Sequence, residues 1–192
     1  MFKKLLKIAF LFVVIPLQAQ NEFKVGAAQL NAYLPLLKNK SVAIIANQTS
    51  VIDSHNKTAV HLVDSLLQHQ VHIAKVFAPE HGFRGIVDDG EHVDNEIDQK
   101  TGLPLISLYG KNKKPTMAQL EGVDLVLFDI QDVGVRFYTY IATLQLVMEA
   151  CIEKGIPIVV LDRPNPHMNY VDGPTMEEEH QGFLGMNSIP LV

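Results

Sequence analysis

Carboxyl, amide, arginine and phenol side chains gather in four short stretches of this sequence, each just after an apolar run. Val71 to Phe77 (VHIAKVF) leads into Pro79, Glu80, His81, Gly82, Phe83, Arg84 and Gly85. Ser41 to Ala46 (SVAIIA) leads into Asn47, Gln48 and Thr49. Asp124 to Ile130 (DLVLFDI) carries Asp129 and leads into Gln131, Asp132, Gly134, Arg136, Tyr138 and Tyr140. Ile156 to Leu161 (IPIVVL) leads into Asp162, Arg163, Pro164 and Asn165. Such a set suits cleavage of a sugar linkage, where a carboxylic acid protonates the leaving oxygen and a second group assists attack at the anomeric carbon. Glu80 is the favoured acid. It follows Pro79 directly, stands beside His81 ahead of a Gly-x-x-Gly loop, and has no evident structural task there. Shielding by Pro79 and Phe83 would suit a group that must carry a proton. Arg84, Arg136 and Arg163 suit a substrate carboxylate, because a guanidinium fork matches carboxylate geometry.

Each stretch also has a plainer reading. Asn47 and Thr49 equally read as caps of a following helix, and Asp129 as an acceptor for loop amides. Asp162 with Arg163 reads as a local ion pair that shapes a proline-rich turn. Other chemistries lack their patterns. No Gly-x-Gly-x-x-Gly follows the first apolar run and no glycine-rich loop ends in Gly-Lys-Ser/Thr, so a nucleotide cofactor is not expected. No Gly-x-Ser-x-Gly elbow is present, which argues against a serine hydrolase. The histidines form no His-Glu-x-x-His pair, and His81 with Asp88, Asp89 and Glu91 matches no tight metal template, so no metal is expected. Cys151, the single cysteine, sits in an apolar helical pattern and reads as a buried thiol rather than a nucleophile.

The elements that must position these residues follow from periodicity. The four apolar runs read as strands, and Leu103 to Tyr109 as a shorter one. Thr58 to His69 repeats apolar residues at helical spacing, and Tyr138 to Lys154 does so up to a stop at Gly155. Thr116 to Leu120 reads as a short helix with Thr116 at its N-cap. Near-continuous apolar strands alternating with helices predict an α/β fold, a Rossmann-like parallel sheet with helices on both faces. In such sheets ligands bind beyond the carboxyl ends of the strands, so all four polar stretches should share one rim. The stretch from Glu80 to Lys100 is long, polar and glycine-bearing, as functional loops are.

The amino terminus reads as an export signal over residues 1–20. Lys3, Lys4 and Lys7 precede an apolar stretch from Ile8 to Leu17, and Gln18-Ala19-Gln20 offers a cleavage site. An apolar run of about ten residues falls short of the roughly twenty that a bilayer core requires, so no stable membrane anchor is expected after cleavage. Loss of this segment lowers the basic residues from 16 to 13 against 21 acids and takes the formal charge from −5 to −8. That balance, without a basic run, argues against a nucleic-acid partner. Residues 25–192 then read as one domain, with a carboxyl end (GFLGMNSIPLV) that looks cut short.

The segments FAPEHGFRG (77–85), LFDIQDVGVRFYTYIATL (127–144) and LDRPNP (161–166), in that order, resemble the exo-β-N-acetylmuramidases of the NamZ type, long catalogued as a domain of unknown function. IANQTSV (45–51) and the glycine of VDGP (171–174) fit the same pattern, and the likeness runs from about Val25 to the end of the chain. The resemblance implies a Rossmann-like catalytic domain followed by a smaller carboxyl-terminal domain that this chain lacks. It implies release of terminal N-acetylmuramic acid from the non-reducing end of peptidoglycan fragments during wall turnover, without a cofactor. By position Glu80 takes the place of the motif glutamate, with Tyr138 or Tyr140 beside it. Asn47, His81, Arg84, Asp129, Gln131, Asp132, Arg136, Asp162, Arg163 and Asn165 are the candidate substrate-binding residues. The lactyl carboxylate of muramic acid would occupy the arginines. The rival readings are a muropeptide-binding module that does not cleave, and another hydrolase or a phosphate- or nucleotide-using enzyme on the same fold.

Export yields the first prediction. Intact-mass analysis of the periplasmic or secreted protein should show loss of residues 1 to about 20. A main species that keeps Met1 would refute the signal assignment.

Overall fold

A computed structural model describes residues 24–52, 59–80, 82–85, 96–186 and 188–192. The expected signal segment and His81 lie outside the described residues. After a single 3-10 turn at Gly26–Ala28 come α1 (Leu30–Leu37), β1 (Val42–Ala46), β2 (Val51–Ile52), β3 (Val60–His61), α2 (Leu62–Gln68) and β4 (Ile73–Ala78). Then follow β5 (Glu96–Ile97), β6 (Pro104–Ser107), β7 (Leu125–Asp129), α3 (Tyr140–Lys154) and β8 (Ile158–Val160).

Six strands form the main sheet in the order β5-β6-β4-β1-β7-β8. Pairings of β1 with β4, β1 with β7, β4 with β6 and β7 with β8 are all parallel. The Rossmann-like expectation therefore holds, and all the strand ends that carry polar residues point the same way. Only the two-residue β5 runs antiparallel, at the edge beyond β6.

Alternate residues of the strands feed two cores. Val42, Ile44 and Ala46 of β1 face Tyr33 and Leu37 of α1 and Leu62, Val63 and Leu66 of α2. Ala43 and Ile45 face the other way, with Phe77, Val126 and Phe128, toward Val147, Ala150 and Cys151 of α3. Every residue of β1 and β7 is buried, which explains why both read as unbroken apolar runs rather than alternating ones.

Several elements depart from the sequence reading. α1 was not foreseen, although Leu30, Tyr33, Leu34 and Leu37 have helical spacing; Pro35 inside it removes one amide donor and masks the pattern. α2 starts later than expected, because Val60 and His61 pair in a short antiparallel ladder with β2. Thr116 to Leu120 is not a helix but a closed turn. Thr116 Oγ1 accepts from the Gln119 amide at 3.2 Å, Gln119 Oε1 accepts from the Thr116 amide at 2.9 Å, and the chain does not propagate into further turns. α3 begins at Tyr140 with Thr139 as its N-cap, so Tyr138 stands outside the helix. Its far end matches the expectation: Gly155 adopts φ 74° and its amide donates to the last carbonyls of the helix.

Cys151 is buried at 1% exposure, and burial pushes its thiol up to about 11. Because the thiolate is the reactive form, a thiol reagent at neutral pH should leave the folded chain unlabelled and label it fully after denaturation. Rapid labelling of the native protein would place this thiol at the surface.

Candidate active site

The turn that follows β1 joins three strand ends. Asn47 is fully buried, and its Oδ1 accepts from the Thr49 amide at 2.9 Å and from Thr49 Oγ1 at 2.6 Å. Thr49 Oγ1 in turn accepts from the Gln131 amide at 2.9 Å, across to the segment after β7. Ser50 Oγ accepts from the Asn47 amide at 3.0 Å and donates to the main-chain oxygen of Asp129. Asn47 and Thr49 thus cap no helix. The N-cap of α2 is His61, whose Nδ1 accepts from the Val63 amide at 3.3 Å. Its Nε2 therefore carries the hydrogen that reaches Asn47 O at 2.9 Å. Burial holds this imidazole below its usual range, in keeping with the neutral tautomer.

Arg163 does not pair with its neighbour Asp162. Its Nε and Nη2 lie 2.6 and 3.0 Å from the two carboxylate oxygens of Asp129, and Nη2 also donates to Val51 O at 3.0 Å. The pair is enclosed, with Asp129 at 0% and the Arg163 side chain at 6% exposure. Burial pushes the Asp129 carboxyl up, and Arg163 pulls it back. Gln131 Nε2 donates to Pro164 O at 2.8 Å, tying the loop after β7 to the loop after β8. Gly134 (φ 75°) brings these loops closer still: a Cβ there would collide with Asn165 Oδ1. Gly26 is likewise required, since a Cβ would come within 2.6 Å of the Asp162 amide; the Gly26 amide donates to Asp162 O at 2.7 Å.

Glu80 follows β4 in a turn closed by the Gly82 amide on Pro79 O at 3.1 Å. It is half-buried, and its Oε2 accepts from Thr139 Oγ1 at 3.2 Å. Tyr138 and Tyr140 flank that threonine and meet edge to face, with ring centroids 5.0 Å apart. Tyr138 is half-buried, whereas Tyr140 is 4% exposed. Burial pushes the Tyr140 hydroxyl up to about 12, helped by Tyr138 and Glu80 and opposed by the Asn47 amide. It is a proton-bearing phenol at any physiological pH. Asn47 Nδ2 is buried and directed at the Tyr140 hydroxyl, the contact that opposes the rise of that phenol, and it makes no other hydrogen bond among the described residues. Asp132 Oδ1 is buried without a partner among the described residues, while Oδ2 accepts from the Gly134 amide at 2.8 Å. Tyr140, Asp132, Asp162, Arg163 and Asn165 line a cavity of about 220 Å³ floored by Phe128, Ile130 and Leu161. A larger cavity, about 760 Å³, opens at the amino ends of β1 and β4 among Lys38, Asn39, Lys40, His69 and His72. It shares no residue with the strand-end segments.

The structure thus brings Asn47, Glu80, Asp129, Gln131, Asp132, Tyr138, Tyr140, Asp162, Arg163 and Asn165 to one rim. Arg84 and Arg136 turn elsewhere. Arg84 Nη2 lies 3.0 Å from Asp64 of α2 and 2.8 Å from Asp98 beyond β5, and its Nε also binds Asp98. Beside it Phe83 points inward, edge-on to His61 at 4.8 Å. Arg136 Nη1 donates to Pro174 O at 2.7 Å and to Ile189 O at 2.5 Å, anchoring the last residues of the chain. The three arginines suit a substrate carboxylate by residue type, and Arg163 equally a local ion pair; in the fold each guanidinium has protein acceptors. Thr139 and Ser50 give no signal in the sequence, since a lone hydroxyl in a polar stretch carries no spacing pattern.

Comparison with known proteins places this arrangement. Residues 42–192 match the family described as exo-beta-N-acetylmuramidase NamZ, N-terminal. Peptidoglycan beta-N-acetylmuramidase NamZ of Bacillus subtilis (strain 168) is 47% identical over 161 residues, covering 83% of this chain and 38% of the relative. Two crystal structures of DUF1343 family proteins from Bacteroides fragilis NCTC 9343 are similar as well. One superposes with a TM-score of 0.78 at 36% identity, the other with 0.75 at 42%, each over 88% of this chain and 42% of theirs. The chain therefore spans less than half the length of the relatives it matches.

The Arg84 clamp holds the loop that carries Glu80, and its pH dependence can be signed. The hydrogen bond from Arg84 holds the Asp98 carboxyl down at about 2. Burial raises the Asp64 carboxyl, but Arg84 and Lys100 outweigh that and keep it below its usual range. A depressed carboxyl stabilises the fold above its unfolded value and loses that contribution as pH falls through the folded one. Between 3.8 and about 2 the melting temperature should therefore fall more steeply for the wild type than for Asp98→Asn. Parallel curves would remove the clamp from the stability of this loop.

Proposed function

The chain belongs to the family described as exo-beta-N-acetylmuramidase NamZ, N-terminal, and on that footing we propose that the full protein releases N-acetylmuramic acid from the non-reducing end of peptidoglycan fragments. The observation that carries the reading is Glu80, a half-buried carboxyl at the end of β4, hydrogen-bonded to Thr139 and facing the paired tyrosines. Glu80 gives its proton to the glycosidic oxygen as the bond to the anomeric carbon breaks, so the departing sugar leaves as an alcohol rather than an alkoxide. Asp132 Oδ1, without a partner among the described residues, supplies an acceptor at the same rim. Tyr138 has the exposure to meet the sugar, and Tyr140, deeply buried, supports it from behind. Such a substrate lies outside the cytoplasmic membrane, and the reading therefore includes export, for which the first twenty or so residues have the composition.

Full-length protein incubated with a disaccharide bearing muramic acid at its non-reducing end should release free muramic acid. Glu80→Gln keeps the shape of the side chain but removes the transferable proton, so turnover should fall by about 10²–10⁴-fold with little change in KM. A nitrophenyl glycoside, whose leaving group needs less protonation, should be affected less. Near-normal turnover of the disaccharide by Glu80→Gln would end the assignment of Glu80 as the acid.

A further inference from the structure

We propose that Thr139 is the positioning residue for Glu80, holding its carboxyl by Oε2 so that the proton to be transferred sits on Oε1. The inference rests on Glu80 being the acid and adds a residue to which the sequence gives no role.

Thr139 occupies the N-cap of α3, where a threonine hydroxyl ordinarily bonds to an amide of the first helical turn. It makes no such bond. Its hydroxyl turns instead to Glu80 Oε2 at 3.2 Å. The residue is 8% exposed, and its carbonyl is fixed by the Thr143 amide at 2.9 Å and Thr143 Oγ1 at 3.2 Å. A β-branched side chain on a fixed backbone has few rotamers, so the direction of the hydroxyl is set before substrate arrives.

A carboxylic acid carries one hydrogen on one of two oxygens. With Oε2 accepting from Thr139, the hydrogen resides on Oε1. When the acid acts, the Oε1–H bond breaks, a new O–H bond forms on the glycosidic oxygen, and the bond from that oxygen to the anomeric carbon gives up its electron pair to it; water completes the hydrolysis by adding its oxygen to the anomeric carbon and releasing a proton. The negative charge left on Glu80 spreads over both carboxylate oxygens. The hydrogen bond at Oε2 then becomes charge-assisted, and it is stronger in the transition state than in the resting acid. An interaction that strengthens only along the reaction raises kcat and leaves KM alone.

Three substitutions in the full-length protein test this: Thr139→Val, Thr139→Ala and Thr139→Ser. On the muramic-acid-terminated disaccharide, both hydroxyl-free variants should lose about 10- to 100-fold in kcat at unchanged KM. On the nitrophenyl glycoside both should lose far less, and Thr139→Ser should restore most of the disaccharide activity. Equal losses on the two substrates, a loss confined to KM, failure of serine to rescue, or no loss at all would each overturn the proposal. Glu80→Gln run in parallel separates the two claims. If it is inactive on the disaccharide while Thr139→Val is normal, only the positioning role fails; if it is active, the acid assignment fails and this inference with it.

Discussion

The rim of this fold depends on a buried carboxylate. Asp129 ends the fully enclosed strand β7, and an ionised carboxyl taken out of water costs several kcal/mol unless it is paired and hydrogen-bonded. Arg163, delivered by the loop after β8, supplies a two-pronged partner and extends the same guanidinium to Val51 O after β1. Ser50 takes the main-chain oxygen of Asp129 and accepts the Asn47 amide, while Thr49 receives the Gln131 amide. Compensation of the buried charge by Arg163, together with the hydroxyl bonds of Ser50 and Thr49 to the backbone, fixes three strand ends relative to one another.

Glu80 belongs to a separate fixture. Its loop is anchored on the far side of β4, where Arg84 is forked between Asp64 and Asp98 and lies 4.6 Å from the centroid of the Phe83 ring. Among the described residues the loop meets the rim through the Thr139 hydroxyl at the α3 amino end and through Gly85, which lies against the Gln48 side chain. The carboxyl thus stands between a rigid hydrogen-bonded rim and a clamped loop, each held by its own arginine. A reacting group gains from this arrangement because its orientation is settled before substrate arrives.

The arginines show how structural and chemical demands compete for the same residue types. Guanidinium groups near a sugar site invite assignment to a substrate carboxylate, yet an arginine carried into a half-buried setting first meets the carboxylates and carbonyls that need it. Arg163 and Arg84 meet acids, and Arg136 meets the carbonyls of Pro174 and Ile189. Among the buried side-chain atoms of the rim, a carboxylate oxygen of Asp132 is left without a partner among the described residues.

The sequence by itself determined the sheet, its parallel sense and the rim. Short apolar runs such as VAIIA and LVLFD, rich in β-branched residues and bounded by polar turns, read as strands buried on both faces, and parallel strands bring their polar ends to one side. Glu80 stands out in the sequence as an acid directly after Pro79, within a run of motifs in fixed order. What only the tertiary structure decided is who pairs with whom. Arg163 chose Asp129, 34 residues away, over adjacent Asp162, and Thr139 chose Glu80, 59 residues away, over its own helix. Spacing along a chain reports periodicity, which local backbone geometry imposes. Partnership across a rim is imposed by the packing of whole elements and leaves no period to read.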